Sequence, residues 1–160
     1  MAPHAQILIV DDVPDNIQVA MSLLREDSYE FSFANSGEKA LSILQNDDAA
    51  FDLILLDIMM PGLDGYETCQ RIKRQTQLKD IPIIFLTAKA DVDSIARAFK
   101  VGGVDYVTKP FHAAELLARV RTHVQLYQTK KWLEQQNIEL ETKSRFAQAR
   151  LLNCLLKNSD

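Results

Sequence analysis

Short apolar runs that stop abruptly on a polar residue recur along this chain, and they constrain its fold more than any other feature. Ile7-Leu8-Ile9-Val10 stops at Asp11-Asp12, and Leu53-Ile54-Leu55-Leu56 stops at Asp57. Ile83-Ile84-Phe85-Leu86 stops at Thr87, and Val104-Asp105-Tyr106-Val107-Thr108 leads into Lys109-Pro110. Apolar runs of this length, separated by segments of helical periodicity, read as strands of a parallel sheet covered on both faces. All strands of such a sheet point the same way, so their carboxyl ends share one edge, where ligands bind. Three carboxylates, a hydroxyl and an ammonium therefore converge on one crevice, a set suited to a divalent cation and a phosphoryl group.

Between the apolar runs the periodicity is helical. Pro14 to about Asp27 carries Ile17, Met21 and Leu24 at helical spacing, and a further strand is expected near Glu30–Ala34. Ser36 is placed to cap a helix bearing Ala40, Leu41 and Leu44. Met59-Met60-Pro61-Gly62 forms a loop, and a helix from about Gly65 carries Cys69, Ile72 and Lys73. Another spans roughly Asp91–Val101, ended by Gly102-Gly103. Five strand–helix units in so short a span predict a doubly wound α/β sandwich.

The chain's 160 residues suit one domain plus an appendage. No apolar stretch approaches the ~20 residues of a membrane helix. Met1-Ala2-Pro3-His4 carries neither a basic segment nor an apolar signal region, so a cytoplasmic location is expected. Cys69 and Cys154 match no metal spacing and no disulfide framework, which agrees with a reducing setting. Residues 1–111 hold 10 Lys/Arg against 17 Asp/Glu, whereas residues 112–160 hold 8 against 5. The mild positive excess of the tail lies among many polar residues and reads as a solvated helix surface, not a nucleic-acid arm.

From Ala113 to about Lys157 there is neither Pro nor Gly, and strong helix formers dominate. One helix of ~65 Å is expected at 1.5 Å per residue. Its first third, with Leu116, Leu117, Val120 and Val124, can pack on the sheet, which sets a domain over 1–127 and a helical extension over 128–160. In the extension Leu126, Leu133, Leu140, Ala147 and Cys154 recur every seven residues. The other seam position holds His123, Lys130, Asn137, Ser144 and Leu151, so the heptad is strong at one position and polar at the other. A homodimeric coiled coil is the expectation.

The segments Leu-Ile-Val-Asp-Asp, Leu-Leu-Asp-Ile-Met-Met-Pro-Gly-Leu-Asp-Gly, Phe-Leu-Thr-Ala and Asp-Tyr-Val-Thr-Lys-Pro-Phe resemble the receiver domain of two-component response regulators over residues 5–127. The resemblance implies a flavodoxin-like five-stranded sheet of order 2-1-3-4-5. It implies Asp57 as phosphoacceptor, served by a partner histidine kinase or phosphotransfer protein. Mg²⁺ would be held directly by Asp12 and Asp57, by Asp11 largely through water, and by the main-chain carbonyl of Met59. Lys109, across a cis bond to Pro110, would pair with Asp57 and then with the phosphoryl group. Thr87 would donate to a phosphoryl oxygen, and Tyr106 would be its switch partner. Met59, two residues past the acceptor, and Lys89, two past Thr87, flank the mouth, where the family tunes loss of the phosphoryl group; apolar Met59 favours a longer-lived state.

His112 stands where a helix N-cap is usual, with Glu115 in the capping-box position, and neither His112 nor His123 has a phosphotransfer motif around it. No Gly-rich nucleotide loop precedes a helix. The expectation is a phosphorylation switch, not an enzyme, without a DNA-binding output domain and with an unknown output protein as partner. Two alternatives stand beside it. The chain could be the N-terminal receiver of a larger hybrid kinase or output protein, the long helix leading on past Asp160. It could be a Mg²⁺-dependent aspartyl-phosphate phosphatase, although Met59 occupies the position where that chemistry needs a second carboxylate.

Overall fold

The computed structural model describes residues 4–46, 48 and 50–158. The expectations resting on Met1, Ala2, Pro3 and Asp160 lie outside them. The elements alternate as β1 (Gln6–Val10), α1 (Pro14–Leu23), β2 (Glu30–Ala34), α2 (Gly37–Leu44), β3 (Leu53–Asp57), α3 (Gly65–Lys73), β4 (Ile83–Thr87), α4 (Val92–Lys100), β5 (Asp105–Thr108) and α5 (Ala113–Lys157). The strands form one parallel sheet of order β2-β1-β3-β4-β5, the doubly wound arrangement expected. By compactness the chain divides into two units, Met1–Tyr127 and Gln128–Asp160.

The strand period of two sends alternate side chains to opposite faces. Leu8, Val10, Ile54, Leu56, Ile83 and Phe85 are buried on one face with Ala40, Leu44, Cys69, Ile72 and Ala98 from α2, α3 and α4. Ile7, Ile9, Leu53, Leu55, Ile84 and Leu86 fill the other face with Ile17 and Ala20 of α1 and with Leu116, Val120 and Val124 of α5. Each fully buried aliphatic side chain contributes about 1.5–3 kcal/mol relative to exposure, so the three central strands anchor the fold.

Two expectations need correction. The first helix ends at Leu23, not near Asp27. Past the buried Leu24 the sequence offers only Arg25, Glu26, Asp27 and Ser28, with nothing apolar to bury. The chain there turns through bonds that span three residues, from Arg25 N–H to the Ser22 carbonyl and from Asp27 N–H to the Leu24 carbonyl, and the Asp27 carboxylate pairs with Arg121. The second concerns β5, which is not covered on both faces. It is an edge strand, and Asp105, Tyr106 and Thr108 are half-buried while Val107 alone is fully enclosed.

Helix starts follow the caps. Ser36, Asp64 and Asp91 each accept an N–H from the first turn of α2, α3 and α4. Gly65, the first residue of α3, lies against the end of β3: a Cβ there would sit 2.2 Å from the carbonyl oxygen of Asp57 and 2.7 Å from Cα of Ile58. Its N–H also donates to the Ile58 carbonyl at 2.8 Å. Backbone cannot yield as a flexible side chain can. Gly65→Ala is therefore expected to lower stability by about 3 kcal/mol, as overpacking against fixed atoms does. The check is urea unfolding, and a loss under about 1 kcal/mol would mean that the β3–α3 junction is looser than its geometry.

Candidate functional site

The chemistry-bearing residues sit where the sheet's carboxyl edge ends, and main-chain bonds carry the ladder just past it. Asp11 N–H donates to the Ala34 carbonyl, Ile58 N–H to Leu86, and Lys109 N–H to Thr87 at 2.8 Å. These bonds fix Asp11, Asp57, Thr87 and Lys109 at adjacent strand ends, and the Lys109-Pro110 bond is cis, as the resemblance implied. Of the four, Asp11, Asp57 and Thr87 are buried. Burying polar groups costs free energy unless they are bonded, so their partners define the site.

Lys109 is the shared partner. Its Nζ lies 2.8 Å from Asp11 Oδ2 and 3.1 Å from Asp57 Oδ1. The contact with Asp57 was implied by the family resemblance; the shorter one with Asp11 was not. Asp11 also accepts Val13 N–H at 2.9 Å and Asn16 Nδ2 at 3.4 Å on its other oxygen. Both Asp11 oxygens thus carry protein donors, and the α1 entry lacking a side-chain cap at Val13 is tied down by Asp11 instead. Burial would lower the Lys109 pKa, but the bonds and charges of Asp11 and Asp57 outweigh it and hold the ammonium above its usual range.

Asp11, Asp12 and Asp57 each place a carboxylate oxygen within 4.8 Å of the other two. Oxygens around a hard cation of Mg²⁺ size stand about 3–4 Å apart, so small side-chain adjustments suffice to hold one. The donor set, three carboxylates with room for water, fits a divalent cation of that class. Against three negative charges the site offers one ammonium, a deficit that a cation would offset.

That deficit shows in Asp57. Its carboxyl is pushed up to about 6 by burial first and by the charge of Asp11 next, against the opposing pull of Lys109. The folded chain therefore holds this proton more tightly than the unfolded chain, whose aspartates titrate near about 4. As pH rises from about 4 to about 6 the folded state loses stability, and the whole penalty is in place above that window. Asp57→Asn is accordingly expected to stabilise the metal-free protein at pH 7 by about 1–3 kcal/mol, and by almost nothing near pH 4. Denaturant unfolding at both pH values checks this; an equal gain at pH 4 would assign the effect to packing instead of charge.

Thr87 occupies its expected place, but its hydroxyl has local work. It donates to the Lys89 carbonyl and accepts the Lys89 N–H, both at 2.9 Å. Tyr106 is half-buried on β5, and its ring meets Phe99 edge-on at 6.3 Å. Met59 is 64% exposed at the mouth. Beside it lies a cavity of about 290 Å³ lined by Met59, Tyr66, Thr87, Lys89 and Arg97 among others, with the Arg97 guanidinium 4.2 Å from the Tyr66 ring centre. Cys69 is buried, and burial pushes its thiol up to about 11, which suits packing and not chemistry. His123, read from sequence as an ordinary helix residue, stands 3.1 Å from Asp105. Glu115, Arg119 and His123 recur every fourth residue, and that spacing was the available signal. Among the described residues no helix is long and apolar enough to cross a membrane.

Known proteins agree with this geometry. The family profile described as the response regulator receiver domain matches residues 7–121. A Vibrio cholerae protein named "Probable cyclic di-GMP phosphodiesterase" is 44% identical over 136 residues, covering 85% of this chain and 30% of that protein. The Bacillus subtilis transcriptional regulatory protein SpaR is 40% identical over 121 residues, 75% of this chain and 52% of its own. The chain thus spans about half, or less, of the curated relatives it matches. Among solved structures, the Vibrio cholerae chemotaxis protein CheY4 superposes with a TM-score of 0.69 at 31% identity, covering 76% of this chain and 99% of that one.

Proposed function

Because this chain belongs to the response regulator receiver domain family of two-component signalling, we propose that it takes a phosphoryl group onto Asp57 from a histidine kinase or phosphotransfer protein. The observation that carries the proposal is one buried carboxylate with an ammonium 3.1 Å away and two more carboxylates within 4.8 Å. An Asp57 oxygen supplies the electron pair that forms the O–P bond. The bond from phosphorus to the donor nitrogen breaks, and its electron pair leaves with the imidazole. Mg²⁺ would supply neutralisation of the phosphoryl oxygens, and Asp12, Asp57 and the Met59 carbonyl would hold it. Asp11, whose two oxygens already have protein donors, would reach it through water. Lys109 stays within reach of the transferred group, and Thr87 turns from Lys89 to give it a hydrogen bond. Tyr106 then moves toward the space that Thr87 leaves, the change an output partner reads.

Residues 1–127 are the receiver in this reading and 128–160 a helical extension that pairs with a second copy. The chain works in the cytoplasm in this reading, with neither nucleic acid nor membrane as its partner. A further specific observation supports a larger whole. The match to the Vibrio cholerae relative runs over 136 residues, more than Met1–Tyr127 contains, so it includes the start of the extension. The long helix is then the arm that carries the receiver's state to a further domain.

The test is incubation of the purified chain with Mg²⁺ and a small phosphodonor, followed by intact mass. One stable phosphoryl adduct per chain is expected, dependent on the cation. Continued release of inorganic phosphate over many turnovers would instead favour the aspartyl-phosphate phosphatase reading. Exposed Met59 offers no group to orient an attacking water, so slow release is the expected result.

A further inference from the structure

Behind the acceptor, β5 and α5 carry an ion network for which phosphoryl transfer has no use. Asp105 Oδ1 accepts the N–H of its neighbour Tyr106 at 2.9 Å. Arg119 Nη1 donates to both Asp105 oxygens, at 2.8 and 2.9 Å, and His123 Nε2 lies 3.1 Å from Oδ2. Arg119 Nε also donates to Glu115 at 3.2 Å. Burial works against the charge of Asp105, yet the Tyr106 N–H, Arg119 and His123 keep its carboxyl below the usual carboxylate range.

The guanidinium so fixed stands over the Tyr106 ring, 5.9 Å from its centre, while Phe99 of α4 meets the same ring edge-on. One carboxylate therefore holds both the main chain of Tyr106 and the cation that attracts its ring. Thr87, on the neighbouring strand, bonds to Lys89. Ring and hydroxyl have separate partners.

We propose that Asp105 and Arg119 are positioning residues for Tyr106: they hold its ring against Phe99 and α5, and so set how much phosphorylation must supply to draw it toward Thr87. The proposal rests on Tyr106 being the switch partner of Thr87. A ring with two stations is an equilibrium, and any group that touches it in one station shifts the population by its differential interaction. A cation over an aromatic face at a partly exposed site is worth about a two- to fivefold shift. Asp105 supplies the anchor, since without it only Glu115, on the same helix, would hold the guanidinium.

The test uses the full chain with fluorotyrosine incorporated, Tyr106→Phe identifying the Tyr106 signal. Arg119→Met keeps the aliphatic stem and removes the cation; Asp105→Asn keeps the shape and weakens the anchor. In both variants the fluorine signal of Tyr106 is expected to move in the same direction without phosphodonor. The rate of Mg²⁺-dependent adduct formation is expected to rise about two- to fivefold. Arg119→Lys, which keeps the ion pair but not the planar group, is expected to fall between. The double variant should move the signal no further than the larger single change, because both act on one contact. A Tyr106 signal unmoved in both folded variants overturns the proposal, as does a moved signal with an unchanged rate in a chain that forms the adduct. If the wild-type chain forms no adduct, the phosphoacceptor reading fails, while the fluorine signal still decides whether this network holds the ring.

Discussion

Replacing Asp57 by Asn is expected to remove the Mg²⁺-dependent phosphoryl adduct completely. Asn keeps the shape of the buried side chain and can still face Lys109, so the fold has no reason to fail. What it loses is the anionic oxygen, and an amide is a far weaker nucleophile toward phosphorus than a carboxylate. Asp12 and Asp11 cannot substitute. Asp11 is fully buried, and its oxygens are engaged by Val13 and Asn16 on one side and Lys109 on the other. Asp57 lies 3.1 Å from the Lys109 ammonium, and among the described residues Asp12 forms no ion pair with it. Intact mass after incubation with phosphodonor reads the outcome directly. An adduct of undiminished yield on Asp57→Asn would place the nucleophile elsewhere, and peptide mapping would say where. The same variant should be more stable than wild type at pH 7, so a missing adduct could not be blamed on unfolding.

Much of this was written in the sequence, for a physical reason. A parallel sheet covered on both faces demands apolar side chains at every position, so β1, β3 and β4 announce themselves as uninterrupted runs. The residues that stop those runs are the ones that the topology gathers, and Asp11, Asp57 and Thr87 could be named as neighbours before any coordinate was known. What stayed hidden depends on contacts between distant segments. The 98-residue separation of Lys109 and Asp11 carries no local signature, and the sequence suggested only the bond to Asp57. The hydroxyl of Thr87 looked available, because the sequence does not show that the turn to Lys89 would use it. The end of α1 was overrun since Arg25 and Glu26 are good helix formers; the lack of a buried face after Leu24 decided the boundary. The exposure of β5 followed from its place at the sheet edge, which its apolar residues alone could not reveal. In α5 the composition predicted helix throughout, correctly, because propensity is local.

The full-length chain is expected to sediment as a dimer at tens of micromolar, and a chain ending after Tyr127 as a folded monomer that still takes phosphate on Asp57. The unit Met1–Tyr127 holds both apolar clusters of the sheet within itself, including what α5 contributes up to Val124, so truncation removes none of its core. The extension has no such core. Leu133, Leu140, Leu151 and Leu155 are 51–67% exposed, and at their spacing they fall along one stripe of a helix. Most helical stability in proteins comes from a partner that covers the apolar face, and propensity alone does not cover this one. A second copy in parallel register offers the same stripe, with Asn137 against Asn137 at the polar seam position, which favours two strands at some loss of stability. The register brings the exposed Cys154 of each chain to the seam, so mild oxidation should cross-link full-length chains as dimers and leave Cys154→Ser uncross-linked. Buried Cys69, with its raised pKa, should take no part. Leu133→Asp with Leu140→Asp should dissociate the dimer without changing the yield of adduct at Asp57, because those side chains lie outside the unit that holds the site. A full-length chain that stays monomeric across this concentration range would show that the stripe is kept for another partner. A truncated chain that remains dimeric would move the contact onto the receiver itself, to the face of α4, β5 and α5, where Phe99 and Val104 are among its exposed apolar groups.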